Sequence, residues 1–545
     1  MLYTGRLLSL ALVLLFFGSC TPESKIRQTQ STAPPADLKG QAELHRGTTD
    51  GLGMAAPRAE RGLSANQGYA PMSRVGGQIF PTYPGTDRFP DNEPNGVVSV
   101  AEHPVSTFSI DVDTASYGLV RRILTNGRLP VRDAVRVEEM VNYFPYNYPA
   151  PENRAQPFRL TTTIMPSPWS ADKRLLHIAL RGYDIQRAER PRANVVLLID
   201  TSGSMEPDDR LPLLQQGFRL FAQQLRDDDR VAIVTYAGEA RTALEPTTGR
   251  DKHKIIETID GLRAAGSTAG GEGLQRAYGL AERNFDKQGV NRVILGTDGD
   301  FNVGITDPKE LERFIKDKRK SGIYLSIFGV GLGNLNDALM QRLAQAGNGN
   351  AAYIDSLLEA RKTLSEELAS TLFPIADDVK IQIEFNPAKV AEYRLIGYDI
   401  GAGHTVTAIY EITPVGAKGR SIEPLRYQTE RAAQTPPANK PNDEVAFVKL
   451  RYKLPGQTAS RLIEQPVRAA DALAQFDSAP MEQRFAVAVA AFGQWLRGES
   501  ALEDFKPAKI AALANAARGA DPEGYRAEFV RLVKMAESLE KVAQN

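Results

Sequence analysis

The stretch at 194–205, NVVLLIDTSGSM, decides how the chain is read. Five apolar residues in a row, Val195 to Ile199, form a run of strand length. Such a run without polar alternation marks a strand buried on both faces, as in a parallel sheet covered by helices. It ends on Asp200, with Ser202 and Ser204 on the loop that follows. In open α/β sheets ligands bind outside the carboxyl ends of the strands, so these oxygens stand where ligand chemistry is expected.

The same rhythm continues over 194–372. Apolar strands recur as RVAIVTYA (230–237), RVILGTD (292–298), IYLSIFGVG (323–331) and AAYID (351–355). Amphipathic stretches such as LPLLQQGFRLFAQQLR, DPKELERFIKDKRK and LLEARKTLSEELASTL separate them, giving strand–helix–strand units. ARTALEP (240–246) follows its strand after a tight turn and is expected to pair antiparallel at an edge. Upstream, TFSIDVDTASYGLVRRIL (107–124) reads as a short strand entering a helix, and the next helix ends before Pro145. FRLTTTIM (158–165) and RLLHIALRG (174–182) alternate like half-buried strands. VKIQIEFNP, YRLIGYDI, HTVTAIYEITP and EVAFVKLRYKLP, all after residue 376, suggest an antiparallel β domain that 158–182 would complete. RAAQTPPANKPND (431–443) is a loop, and the chain from about 481 is mostly helical. The fold class is α/β: a doubly wound, mostly parallel sheet with an antiparallel β domain and a C-terminal helical region.

The expected organisation is a leader at 1–20, a disordered tether at 21–95, and a segment at 96–190 that lends strands to the β domain. The α/β domain follows at 191–375, the antiparallel β domain at 376–465 and the helical region at 466–545. The leader has Arg6, an apolar run from Leu7 to Phe17, then Gly18-Ser19-Cys20. This is a secretory signal pattern, and it is shorter than the roughly 20 residues of a spanning helix. Ending on cysteine, it resembles a lipoprotein signal, which makes Cys20 the expected lipidation site; a simple membrane anchor or a soluble secreted form are the alternatives. Thr21, where an Asp would retain such a protein at the inner membrane, is compatible with outer-membrane sorting. The tether is rich in Pro, Gly, Ser, Gln and Ala and lacks an apolar period, so it cannot offset its ordering entropy. Cys20 is the single cysteine, which excludes an intrachain disulfide and a cysteine-built zinc site. Sixty-six basic residues balance 66 acidic ones, and nothing in that balance favours nucleic acid.

Mg²⁺ takes hard oxygen ligands and keeps several waters. One carboxylate and two hydroxyls supply such ligands with little negative charge, leaving the ion able to accept a carboxylate from another molecule. Thr268, in the Gly-rich loop AGSTAGGEG (265–273), and Asp298, closing RVILGTD, are expected at the same sheet edge. This order, D-x-S-x-S then a loop Thr then a strand-terminal Asp, resembles the metal-ion-dependent adhesion site of von Willebrand factor type A (VWA) domains. By that resemblance Asp200, Ser202, Ser204 and Thr268 bind the ion directly or nearly so, with Asp298 often acting through water. The ion would be Mg²⁺, or Mn²⁺ or Ca²⁺.

The likeness extends over roughly 100–540. EEMVNYFPYNYP, PRANVVLLIDTSGSM, DRVAIVTYAG, GSTAGGEGLQRAY, NRVILGTDGDFNVG, GNGNAAYID, FVKLRYKLP and GYRAEFVRLVKMAESL look like a bacterial group of VWA lipoproteins. That group carries an extra N-terminal segment and a C-terminal domain of unknown function. One departure stands out: an acidic insertion of about twenty residues expected from the resemblance is missing between Ile400 and Gly401.

Other signals point to structure. Asp111-Val112-Asp113-Thr114 has the D-x-D start of some phosphatases but has Ala115 where Thr or Val is wanted; capping of the next helix is the better reading. GVGLGN (329–334) imitates a dinucleotide fingerprint, but Asn334 replaces its third glycine, so it reads as a tight strand–helix turn. His45, His103, His177, His253 and His404 show no paired ligand spacing, and no Walker-type phosphate loop is present, so no nucleotide is expected. DPKELERFIKDKRK reads as a solvated helix face. The expectation is therefore a cell-envelope lipoprotein that uses its cation to bind a protein ligand supplying Asp or Glu, with no catalysis. The alternatives are a metal-dependent hydrolase, for which no general base is evident, and a scaffold in which the metal only stiffens the domain.

Overall fold

The computed structural model describes residues 72–75, 78–81, 86–91, 93–109, 113–185, 189–266, 271–299, 307–367, 375–397, 405–422, 443–502 and 504–544. Strands β1 (Met72–Val75) and β2 (Gln78–Pro81) form an antiparallel pair. The tether expected to reach residue 95 is therefore shorter. Thr86 and Arg88 donate backbone N–H groups to the carbonyls of Gly333 and Leu335, so this segment is held by backbone bonds that no apolar pattern announces.

The α/β part is a six-stranded sheet in the order β12-β11-β10-β7-β8-β9. It comprises β7 (Ala193–Asp200), β8 (Arg230–Tyr236), β9 (Ala240–Thr248), β10 (Val290–Thr297), β11 (Ile323–Val330) and β12 (Ala351–Ile354). All pairs are parallel except β8–β9, the expected antiparallel edge. Every residue of β7 is buried, which explains its unbroken apolar run. Val195, Leu197 and Ile199 pack beneath α3 (Leu211–Gln224) and α4 (Lys252–Gly261). Val196 and Leu198 face the opposite layer, with α5 (Gly271–Arg283), α6 (Pro308–Lys320) and α7 (Asp337–Ala346). Only Leu311 and Ile315 of α6 are buried, so its charged stretch is a solvated face. After α8 (Leu357–Arg361) the backbone widens into a π-helical turn, Lys362–Glu367, where the sequence suggested one continuous helix.

The N-terminal segment, which includes the short helix α2 (Val137–Asn142), serves two layers. Helix α1 (Ala115–Thr125) joins the α/β core, with Gly118 so close to β12 that a Cβ there would lie 2.7 Å from the Tyr353 carbonyl. Its N-terminus has no side-chain cap; Asp113, expected to cap it, instead accepts from the Ala351 backbone N–H at 2.8 Å, and Asp111 lies outside the described residues. Its strands β3 (Val98–Ser99), β4 (Val105–Ser109), β5 (Phe158–Pro166) and β6 (Arg174–Gly182) divide between two antiparallel sheets, β17-β16-β13-β4 and β3-β14-β15-β6-β5. The later strands are β13 (Asp377–Phe385), β14 (Val390–Leu395), β15 (Thr405–Pro414), β16 (Glu444–Lys453) and β17 (Ser460–Arg468).

The two sheets share one core, to which Leu176, Ile178, Ile383, Tyr410 and Val448 belong. β6 is buried along nearly its whole length and is not half-exposed as its alternation suggested. Leu175 and Ala179, on its other face, pack with the C-terminal helices α9 (Met481–Leu496), α10 (Pro507–Ala516) and α11 (Tyr525–Gln544). Helix α9 is apolar nearly all round because sheet and helices enclose it. The junction at Ile400–Gly401 lies outside the described residues. Among the described residues no helix is long and apolar enough to cross a membrane.

Candidate metal centre

Strand order reverses between β7 and β10: the chain runs from β7 to β8 on one side and from β10 to β12 on the other. Loops leaving two such strands diverge and open a crevice at their carboxyl ends. Asp200 is the last residue of β7, and Asp298 follows directly on β10. Gly296 pairs with Ile199, which sets the next residues, Thr297 and Asp200, side by side.

Asp200 is buried and fixed from three directions. Its Oδ1 accepts from the Ser202 backbone N–H at 2.9 Å. Its Oδ2 accepts from the Tyr236 hydroxyl at 3.1 Å and the Thr297 hydroxyl at 3.2 Å. Burial raises the Asp200 carboxyl above its ordinary range; the Ser202 hydrogen bonds oppose that rise and the negative charge of Asp298 adds to it. Burial and the neighbouring Asp200 charge also push Tyr236 well above the usual phenol range, so it stays a donor. The Ser202 and Ser204 hydroxyls stand 3.0 Å apart, so both oxygens converge on one region. The Ser202–Ser204 turn is held by Gly203 N–H donating to Gly266 O and by Ala265 N–H donating to Thr201 O. Those bonds bring Ala265 and Gly266 beside the serines, and Thr268 lies outside the described residues.

Asp298 is 1% exposed. Its Oδ2 is ion-paired with Arg210, whereas its buried Oδ1 has no hydrogen-bond partner among the described residues. A buried carboxylate oxygen without a donor is unfavourable unless a cation or water completes it. Together with two hydroxyls and a second carboxylate, that oxygen makes a donor set suited to a hard divalent cation. Gly299, at φ +107°, carries the chain away from Asp298 so close to the next loop that a Cβ would lie 2.6 Å from Leu335 Cα.

Three contributors escaped the sequence reading. Tyr236 and Thr297 end the flanking strands, a position that could have flagged them. Arg210, the residue directly before α3, gave no signal of its own. Elsewhere His177 is buried, its pKa lowered to about 3 by burial, with Tyr148 OH 3.3 Å from Nε2. His103 and His253 are exposed, while His45 and His404 lie outside the described residues. In GVGLGN, Gly331 and Gly333 take positive φ of 68° and 106°, as a tight turn requires.

Comparison with known proteins agrees with this architecture. The family model for the von Willebrand factor type A domain matches residues 194–367, and one described as von Willebrand factor matches 83–177. The model for the C-terminal part of uncharacterized protein YfbK matches 370–399 and 399–539. Uncharacterized protein YfbK of Escherichia coli K12 is 45% identical over 486 residues, covering 85% of this chain and 83% of its own length. A UPF0353 protein of Mycolicibacterium gilvum is 29% identical over 215 residues, 34% of this chain and 63% of its own. Among solved structures, proximal thread matrix protein 1 from the mussel byssus, described with a zinc-occupied MIDAS motif, is similar at 22% identity and TM-score 0.28. That match covers 35% of this chain and 46% of the mussel protein, and a likeness at that score bears on nothing beyond itself. With 45% identity across most of both chains, a matching VWA domain and a matching C-terminal region, this protein belongs to the YfbK family of VWA-domain proteins.

Proposed function

We propose that this chain is a cation-dependent protein-binding module of the bacterial cell envelope, working in adhesion or in scaffolding. The observation that carries the proposal is the convergence of Asp200, Ser202, Ser204 and Asp298 at the strand-order reversal, with one buried Asp298 oxygen unpartnered among the described residues. Membership of a VWA family supports protein interaction as the general role.

In this reading Asp200, Ser202, Ser204 and Asp298 hold the ion, with Thr268 as a fifth ligand, and the ion is Mg²⁺, Mn²⁺ or Ca²⁺. Bound there, it supplies an electrophilic position that an Asp or Glu of a protein partner completes. The chain's own residues set the geometry. Tyr236 and Thr297 pin one Asp200 oxygen by hydrogen bonds, and the Ser202 N–H pins the other. The reading is non-catalytic: the Ser202 and Ser204 hydroxyls, 3.0 Å apart, are taken as ligands of the ion and not as nucleophiles. The proposal includes anchoring through a lipid on Cys20, with the folded part displayed from the outer membrane.

Capture of envelope proteins by the full chain tests the function. Partners should be retained in Mg²⁺ and lost on chelation or in Asp298→Ala. A catch insensitive to both would count against it. Metabolic labelling with a lipid precursor should mark the wild type and spare Cys20→Ala.

A further inference from the structure

Asp298 is already partnered by a cation that the chain itself supplies. We propose that Arg210 is a built-in rival of the divalent ion: both share Asp298, so Arg210 sets how tightly the site binds metal. The inference rests on the reading of Asp200, Ser202, Ser204 and Asp298 as the cation site.

The guanidinium lies across three strand-end loops. Its Nη1 donates to Asp298 Oδ2 and, at 2.7 Å, to the Ser204 carbonyl, while Nη2 donates to the Leu332 carbonyl at 3.2 Å. The loop after β11 is shaped to admit it: a Cβ at Gly331 would lie 2.5 Å from Arg210 Nε. That loop is braced in turn by the N-terminal segment, where Asp87 Oδ1 accepts from the N–H groups of Gly333 and Leu335 at 2.8 and 2.7 Å. The Arg210 side chain is 16% exposed, against 0% for Asp298, so their mutual attraction is weakly screened.

Charge decides the direction. Asp200 and Asp298 bring two negative charges, and Arg210 returns one positive charge to the same carboxylate. A second cation entering beside Asp298 is repelled by the first and finds half of that carboxylate engaged. Removing the guanidinium charge while keeping a polar side chain should strengthen binding by about tenfold or more, given the strength of charge interactions at such short range in a partly buried site.

Calorimetric titration of the full-length chain with MnCl₂ tests this, comparing wild type, Arg210→Gln and Arg210→Lys, with circular dichroism as the check on folding. Arg210→Gln should bind Mn²⁺ at least about tenfold tighter, and Arg210→Lys, which keeps the charge, should stay near wild type. Should the glutamine variant fold poorly, Arg210→Ala repeats the test. Equal or weaker binding in the neutral variants would overturn the proposal and make Arg210 a residue that merely positions Asp298. Absence of Mn²⁺ binding from wild type and variants alike would overturn the cation-site reading itself.

Discussion

Arg121 gathers three carboxylates from distant parts of the chain and Arg210 engages one, Asp298, and the two arginines leave them in different states. Arg121, on α1, uses five N–H···O bonds, to Asp355 twice and to Glu359, Glu528 and Tyr143 once each. It ties the N-terminal segment to the end of β12, to α8 and to the C-terminal helix α11. Those five bonds exhaust the donors a guanidinium has, and its side chain is 5% exposed. Arg210 binds Asp298 through one oxygen and leaves the other without a partner among the described residues, beside two convergent hydroxyls. A buried carboxylate beside an arginine is therefore not in itself a binding site. Both oxygens of Asp355 and of Glu359 are hydrogen-bonded in the Arg121 knot, whereas Asp298 keeps one oxygen without a described partner beside the serine hydroxyls.

The largest expected effect breaks the saturated knot. Arg121→Met removes the counter-charge that Asp355, Glu359 and Glu528 share, and denaturant unfolding should show a loss of about 3–5 kcal/mol. A loss below about 1 kcal/mol would mean that the knot does not hold the layers together.

A second knot, around Arg136, responds to pH. Asp337 lies 2.8 Å from Arg136 and is fully buried. Burial raises its pKa from 3.8 to about 6, against the pull of Arg136. The folded state thus binds this proton more readily than the unfolded chain, so the Asp337 contribution to stability grows as pH falls from above 6 towards about 4 and is lost as pH rises through 6. Wild type should gain on Asp337→Asn by on the order of 2 kcal/mol between about pH 7 and about pH 4. A flat or reversed difference in unfolding free energy would contradict this.

At the strand-end site, Gly299→Ala combines a strained φ with a contact at 2.6 Å. It should lower stability by about 1–2 kcal/mol and weaken Mn²⁺ binding by displacing Asp298. Unchanged melting and unchanged binding would show that the loop yields freely. The smallest effect belongs to the exposed face of α6. Lys316→Ala removes an i,i+4 pair with Glu312 at 2.5 Å and should change stability by no more than about 0.5 kcal/mol.

The parallel sheet was legible because β7, β10 and β11 are buried on both faces and so are mostly apolar, β7 without a break from Val195 to Ile199. Asp200, Ser202 and Ser204 were legible because they are adjacent in sequence, and Asp298 because it follows such a run. The division of β3–β6 and β13–β17 into two sheets was not, since alternation tells which face a residue takes but not which strand it pairs with. β17 was missed because Pro466 and its charges argue against a strand; at the sheet edge, opposite Phe447, a proline is tolerated. Arg210 was illegible because its role depends on Asp298 and Leu332, 88 and 122 positions away.

The most direct measurement is calorimetric titration of Mn²⁺ into wild type and Asp200→Ala, with folding matched by circular dichroism. Saturable binding of one ion by wild type, abolished in the variant, is the predicted result. Equal binding by both proteins, or none by wild type, would contradict the assignment of Asp200, Ser202, Ser204 and Asp298 as the cation site.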